Sequence, residues 1–168
     1  MPKEKNMITY LIIGNGVAGN SAAESIRKID SQGKILMVSK EKYHFCYIPA
    51  LPEYLSGEKQ IKDFTIHHEK WYEKNRIDLF LETEIAVVDS SKKTADTKSG
   101  ERFRYDKLLL ACGGNSFVPP IKGSDSEGVF TLRTVADASI DRDGPHAQRV
   151  AQDLGLVCDL MGQFPRGD

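Results

Sequence analysis

Three glycines near the amino terminus have the spacing of a phosphate-binding loop. They lie in residues 14–19, which read G-x-G-x-x-G. In such a loop Gly14 permits a tight turn, Gly16 lets a diphosphate approach the backbone, and Gly19 lets a helix pack closely on a strand. Backbone N–H groups and the positive end of the helix dipole then face the phosphates. The motif predicts a dinucleotide site without choosing between FAD, NAD and NADP; its residues are Gly14, Asn15, Gly16, Val17, Ala18 and Gly19.

The residue after the second predicted strand bears on the nucleotide. An acidic side chain there usually binds the ribose hydroxyls. Here Ser39 occupies that place, and Glu41 comes two residues later. Ser39 can hydrogen-bond a ribose, although less strongly than a carboxylate does. Lys40 has two open interpretations, which are a contact with the 2′-phosphate of NADP and a solvated pair with Glu41.

The elements that must position these residues follow from periodicity. Residues 7–13 are apolar and β-branched and predict a buried strand, residues 17–30 carry apolar side chains at helical spacing, and residues 34–38 predict a second strand. Two strands joined by one helix in so short a segment should be parallel neighbours. Without this context, a plain glycine-rich turn would explain the motif equally well.

The remaining segments predict shorter elements. Residues 41–57 read as a long irregular loop, which usually has a functional role. The further expectations are a helix at 67–75, strands at 77–81, 85–89 and 107–112, a hairpin over 94–104 that turns at Ser99 and Gly100, a short strand at 129–132 and a helix at 145–154.

Composition excludes several classes of protein. The chain has 168 residues, a net charge of −1 and 28% charged residues, so neither nucleic acid nor an anionic membrane is an expected partner. No apolar run approaches the ~20 residues of a membrane span. The polar amino terminus and the three widely spaced cysteines indicate a cytoplasmic protein with reduced thiols, without a disulfide framework or metal site.

Several ordered segments resemble those of the FAD-dependent pyridine nucleotide-disulfide oxidoreductase superfamily, which includes rubredoxin and ferredoxin reductases, NADH oxidases and the flavin part of nitrite reductases. Residues 105–114 read Y-D-K-L-L-L-A-C-G-G and are followed by P-P-I-K-G at 119–123. Residues 130–138 read F-T-L-R-T-V-A-D-A, and residues 44–51 read H-F-C-Y-I-P-A-L. The resemblance extends from residue 7 to about residue 138.

The resemblance implies an α/β fold: a Rossmann-like FAD-binding domain with a parallel sheet plus a small antiparallel hairpin or meander, incomplete relative to the family. The FAD-binding domain would span residues 1–138, and residues 139–168 would form an atypical tail, helical and then irregular, whose native character stays open. The family's second G-x-G-x-x-G domain, for NAD(P)H, is not visible in this sequence. The implied cofactor is FAD, with NAD(P)H as the electron donor in an intact relative.

The resemblance also implies cofactor contacts outside the glycine loop. They are Pro49, Ile85, Ala111, Cys112, Gly113 and Arg133. Two positions depart from the family pattern. Cys112 replaces the usual threonine and loses a good hydroxyl donor, and Ile48 stands where a basic residue commonly faces the flavin.

Cys46 is the single catalytic candidate. Some family members use a cysteine of this loop as a redox partner of the flavin, one position away from Cys46. A reactive thiol needs a lowered pKa and access to the flavin, and His44 could favour a thiolate. The preferred interpretation is instead a small apolar residue that packs under the cofactor.

The sequence thus predicts the FAD-binding portion of an NAD(P)H-dependent flavoprotein oxidoreductase. Electrons would pass from nicotinamide through FAD to an acceptor, which could be a protein, a disulfide or oxygen. The cofactor carries the chemistry, so no acid–base pair is expected. The alternatives are a non-catalytic subunit that binds FAD or NADP beside a complementary subunit, and a truncated fragment.

Overall fold

The computed structural model describes residues 7–126, 129 and 131–142, with side chains up to residue 139. These residues form two compact units. The first comprises the chain up to Cys46 together with Ile66–Gly113, and the second comprises Tyr47–Thr65 together with the chain after Gly113.

The first unit contains a parallel sheet and a smaller antiparallel one. Its elements are β1 (Thr9–Ile13), α1 (Val17–Ile29), β2 (Lys34–Val38), α4 (Glu69–Lys74), β3 (Ile77–Phe80), β4 (Ile85–Asp89), β5 (Thr94–Thr97), β6 (Arg102–Arg104) and β7 (Lys107–Leu110). The parallel sheet has the order β3-β2-β1-β7, with Leu11 beside Leu36 and Leu108. The antiparallel sheet has the order β4-β5-β6. The predicted α/β class is confirmed, as are the parallel β1–β2 pair and the hairpin.

Alternation along β1 builds a core on both faces of the parallel sheet. Leu11 is fully buried in a cluster that includes Ala95 and Phe103 of the antiparallel sheet. Its neighbour Ile12 is fully buried in a second cluster with Ala23 of α1 and Tyr72 of α4. A parallel sheet needs cover on both faces, and here helices supply one cover and the small sheet supplies the other.

The second unit is helical where the sequence predicted an irregular loop. It contains a 3₁₀ helix (Ile48–Ala50), α2 (Leu51–Leu55), α3 (Ile61–Phe64) and α5 (Val135–Arg142). The loop prediction was wrong over residues 48–55, because Pro49 and Pro52 stand in the first turns of two helices, where proline is well tolerated. The Tyr54 hydroxyl of α2 lies 3.4 Å from Ser139 Oγ of α5.

The predicted strand at 129–132 is absent at residues 129, 131 and 132, the part of it that the structure describes. A helix start takes its place, because Thr134 Oγ1 accepts the Asp137 N–H at 3.1 Å and Asp137 Oδ2 accepts the Thr134 N–H at 2.8 Å. This reciprocal cap begins α5, which runs through the expected domain boundary at residue 138. The helix expected at 145–154 lies outside the described residues. Among the helices described, none is long and apolar enough to cross a membrane.

Candidate functional site

The glycine loop turns at the carboxyl end of β1, and two of its glycines are required by close packing. Gly14 has a φ of +119°, and its N–H donates to Val38 O at 2.8 Å. A Cβ on Gly14 would lie 2.1 Å from Ala111 O, and a Cβ on Gly19 would lie 2.1 Å from Gly14 O. Any side chain at either position would force the backbone apart.

Gly16 is different, because the fold itself does not require a glycine there. Its φ is −89°, which any residue can adopt, and a Cβ would meet no atom of the described part of the chain within 4 Å. The residue is exposed. The space beside Gly16 is therefore a cradle that a side chain would fill, at the place where a diphosphate must approach the backbone.

At the amino terminus of α1, no side chain caps the helix or offsets the positive end of its dipole. Gly16 is its N-cap and provides no side-chain hydrogen bond, and the first turn contains no acidic residue. The first N–H groups of a helix have no intrahelical acceptor. Together with the positive end of the helix dipole, these groups form a site for an anion, so the residues present fit a diphosphate.

The second-strand residues lie at the same edge of the sheet. Ser39 is buried after β2, where its N–H donates to Phe80 O at 2.8 Å and its Oγ accepts the Glu41 N–H at 3.2 Å. Lys40 is exposed and Glu41 is half-buried. The carboxyl ends of β1 and β2 thus bring the glycine loop and Ser39 to one edge, as a nucleotide site requires.

Residues 111–113 complete this edge from the other side of β1. The Ala111 N–H donates to Ile13 O at 2.8 Å, and Cys112 Sγ lies 3.6 Å from the same oxygen. Cys112 and Gly113 are exposed. Within the sheet, β1 lies between β2, which follows it in the chain, and β7, which comes much later. The glycine loop after β1 therefore lies at the point where the strand order reverses. Open α/β sheets bind ligands at such a point.

Three other predicted residues lie elsewhere. Ile85 pairs with Thr97 in the antiparallel sheet and packs against the core cluster of Leu11. Pro49 and Arg133 belong to the second unit and are exposed. Their cofactor contacts remain predictions.

Cys46 is buried, with 5% of its surface exposed, and its Sγ lies 3.2 Å from the carbonyl oxygen of His44. The His44 ring packs instead against Tyr72, with 5.6 Å between ring centroids. This placement is that of a packed side chain, and a redox role stays a prediction.

Two residues beneath the loop were missed by sequence reasoning. Asn20 of α1 and Tyr72 of α4 both hydrogen-bond to Asn15 Oδ1, each at 2.9 Å. A polar residue directly after the third glycine, on the buried side of a helix, was a signal for Asn20. Nothing in the spacing points to Tyr72, which is 57 positions from Asn15.

The sequence is similar to a known family of proteins and to several of its characterised members. The family described as pyridine nucleotide-disulphide oxidoreductase matches residues 8–151. NADH oxidase of Methanocaldococcus jannaschii is 40% identical over 134 residues, which cover 76% of this chain and 30% of that protein. NADH-rubredoxin oxidoreductase of Clostridium acetobutylicum is 37% identical over 129 residues, which cover 76% and 33% of the two chains.

Solved structures agree. The crystal structure of NADH:rubredoxin oxidoreductase from Clostridium acetobutylicum matches with a TM-score of 0.69 and 33% identity, over 82% of this chain and 35% of that one. An NAD-dependent persulfide reductase from A. fulgidus matches with a TM-score of 0.69 and 32% identity, over 79% and 26% of the two chains. This chain therefore spans about a third or less of the length of these relatives.

Proposed function

Since this chain belongs to the pyridine nucleotide-disulphide oxidoreductase family, we propose that it binds FAD through the edge formed by residues 14–19, Ser39 and residues 111–113. Members of this family are FAD-dependent and use NAD(P)H as electron donor. In the whole protein, this region would form the flavin-binding part of an NAD(P)H-dependent oxidoreductase.

The observation that carries the proposal is the open space at Gly16. Gly14 and Gly19 are required by contacts within the protein, whereas no contact with the described residues requires a glycine at position 16. A ligand that approaches the backbone closely does explain it, and the uncapped positive helix end selects a ligand with negative charge.

The remaining edge residues suit the other parts of the dinucleotide. The Ser39 hydroxyl accepts one backbone N–H and retains its own hydrogen to donate, which suits a ribose oxygen. On the side of the glycine loop opposite Ser39, the sheet edge is lined by Ala111, Cys112 and Gly113. These residues would support the end of the cofactor that lies away from the ribose beside Ser39. Lys40, Glu41, Pro49, Ile85 and Arg133 stay proposed contacts.

The chemistry follows from the cofactor. Bound FAD supplies the capacity to accept a hydride from nicotinamide and to pass electrons onward. The protein's own residues bind and orient it, and none is proposed to transfer a proton. The names of the relatives, among them NADH-rubredoxin oxidoreductase and ferredoxin reductase components, favour a small electron-acceptor protein as the partner of the whole protein.

The test compares wild type with Gly16→Ala. Titration with FAD, followed by the flavin absorbance spectrum and by equilibrium dialysis, should show saturable binding to wild type. Gly16→Ala should bind at least tenfold more weakly, because its methyl group occupies the phosphate approach. Its free energy of unfolding should fall by no more than about 1 kcal/mol, because alanine is a poorer N-cap than glycine but its methyl group meets no atom of the described residues.

The unfolding measurement is the control, since a loss of binding with intact stability cannot come from misfolding. Equal FAD affinity of the two proteins, or no FAD binding by wild type, would overturn the proposal. A preference of wild type for NADP or NAD over FAD would reassign the edge to a nicotinamide dinucleotide.

A further inference from the structure

The Tyr72 side chain connects two segments that the sequence keeps far apart. It projects from α4 into the core and is 3% exposed. Its hydroxyl donates to Asn15 Oδ1 at 2.9 Å and accepts the Phe45 N–H at 3.3 Å. One buried hydroxyl thus joins the glycine loop to the segment that contains Cys46.

Asn15 is the inner anchor of the loop. Its Oδ1 accepts Asn20 Nδ2 at 2.9 Å in addition to the Tyr72 hydroxyl. The same Asn20 nitrogen lies 3.2 Å from Asn15 O and 3.0 Å from Gly16 O. Gly16 O also accepts the Asn20 backbone N–H at 3.1 Å, so the helix directs this oxygen inward, and the Asn20 side chain holds the Asn15 carbonyl beside it. A carbonyl oxygen turned outward would repel a diphosphate, so the arrangement beneath the loop keeps its outer rim attractive to an anion.

The Tyr72 ring is held by aromatic neighbours. Trp71 meets it edge-on with 5.0 Å between centroids, His67 meets it edge-on at 6.3 Å, and His44 packs at 5.6 Å. Burial also raises the pKa of the Tyr72 hydroxyl, so the group remains a neutral donor under ordinary conditions. A fixed ring and a fixed protonation state give the hydroxyl one defined position.

We propose that Tyr72 is a positioning residue that sets the shape of the glycine loop through Asn15 and couples it to the Phe45–Cys46 segment. The role toward a ligand rests on the proposed FAD site, whereas the coupling of the two segments is a property of the protein alone. Occupation of the loop by FAD would then be sensed at Phe45 and Cys46 through a single hydroxyl group.

The test uses Tyr72→Phe, with Tyr10→Phe as matched control. Tyr10 lies at the opposite end of β1 and donates its hydroxyl to Asp30 Oδ2 at 3.1 Å, so the control removes the same group and one hydrogen bond away from the loop. In ligand-free protein, Tyr72→Phe should speed hydrogen exchange of the Phe45 amide about tenfold, in line with one lost hydrogen bond. Tyr10→Phe should leave that amide unchanged.

FAD affinity provides the second measurement. Tyr72→Phe should weaken FAD binding roughly three- to tenfold, while Tyr10→Phe should not. Asn15→Ala should weaken it too, and the Asn15→Ala/Tyr72→Phe double variant should be no weaker than Asn15→Ala, because both changes break one connection. Additive effects of the two substitutions would show independent roles and overturn the proposal.

The outcomes separate this inference from the proposed function. If wild type binds no FAD, the proposed function fails, and the Phe45 exchange rate still decides whether Tyr72 couples the segments. If wild type binds FAD but Tyr72→Phe matches it in affinity and in exchange, the coupling fails and the FAD site stands. Should Tyr72→Phe not fold, Asn15→Ala tests the same connection from the loop side, with faster Phe45 exchange as the expected result.

Discussion

The two ends of α1 are built in opposite ways. At the carboxyl end, Arg27 donates to the carbonyl oxygens of Asp30, Gly33, Asn75 and Arg76. The Asp30 carboxylate accepts the N–H groups of Gln32 and Gly33 at 3.1 and 2.8 Å and the Tyr10 hydroxyl. At the amino end, the helix begins on a bare glycine with no side-chain cap and no acidic residue.

This difference distinguishes a helix end that the protein itself stabilises from one that is available to a ligand. Side chains of the protein satisfy the backbone groups at the closed end, as expected where nothing else will. The open end has no side-chain cap, which weakens the helix start but leaves room for an anion. Substitutions at the closed end should therefore change stability, while those at the open edge of the loop should change binding.

The largest effect on stability is expected at Gly14, which precedes the N-cap of α1 and, like the closed end, is packed against other parts of the protein. Gly14→Ala combines a positive φ with a Cβ placed 2.1 Å from Ala111 O, and should lower the free energy of unfolding by about 3 kcal/mol. Gly100→Ala is the control, since it has a φ of +91° with open space, and should cost about 1 kcal/mol. Urea unfolding measures both. Equal losses would show that contact with Ala111 is unimportant.

Next in size is the closed end itself. Arg27→Met leaves four carbonyl oxygens without their donor and should lower the free energy of unfolding by about 2 kcal/mol. Lys28→Met, at the neighbouring exposed position in the same turn, should change it by less than about 0.5 kcal/mol. FAD affinity should be unaffected by either variant, and a parallel loss of affinity would contradict the separation of the two ends.

A smaller, pH-dependent effect is expected at Asp30. Hydrogen bonds from the Gly33 and Gln32 N–H groups lower the pKa of its carboxyl group. A carboxyl group whose pKa is lower in the folded than in the unfolded protein stabilises the fold when it is ionised. This contribution is fully present at pH values above the unfolded-state pKa of about 3.9, and it is lost as pH falls through the folded-state pKa. Asp30→Asn should therefore lose stability at neutral pH and show a shallower decline on acidification. Parallel pH profiles for the two proteins would refute this.

The smallest effect should come from closing the open end. Gly16→Ser adds a hydroxyl that can accept an N–H of the first turn, and should raise the free energy of unfolding by a few tenths of a kcal/mol. The same hydroxyl would occupy the phosphate approach and weaken FAD binding. A single variant that gains stability and loses FAD affinity would show most directly that the amino end of α1 serves binding at the expense of stability. A Gly16→Ser protein with higher stability and also higher FAD affinity would contradict the contrast between the two helix ends.

Much of the fold was predictable from the sequence, because each local hydrophobic pattern favours the same element that the protein forms. The apolar run before residue 14, the helical period after it and the strand that follows each specify one element, and parallel pairing follows from their order. The helices at 48–55 were not predictable in the same way, since prolines and aromatic side chains suggest a loop unless the prolines fall in first turns.

The sequence was sufficient to predict the glycine loop of the candidate site, but not the buried residues that hydrogen-bond to it. Spacing identified all three glycines, but only the positions of Ala111 O and Gly14 O show that two serve packing and one leaves space. Tyr72 could not be found from sequence, because its partners are brought to it by the packing of α4 on the sheet. A buried hydrogen bond between distant segments leaves no periodic signature.

The stacking of His67 on Trp71, with centroids 3.7 Å apart and planes within 3° of parallel, gives the protein a built-in optical probe. Trp71 is the only tryptophan, so indole fluorescence reports on the first unit alone. A protonated imidazole quenches indole emission, and burial lowers the pKa of His67, so the emission should dim only at pH values below the usual histidine range. Unfolding and acid titration can thus be followed beside Tyr72 without any label.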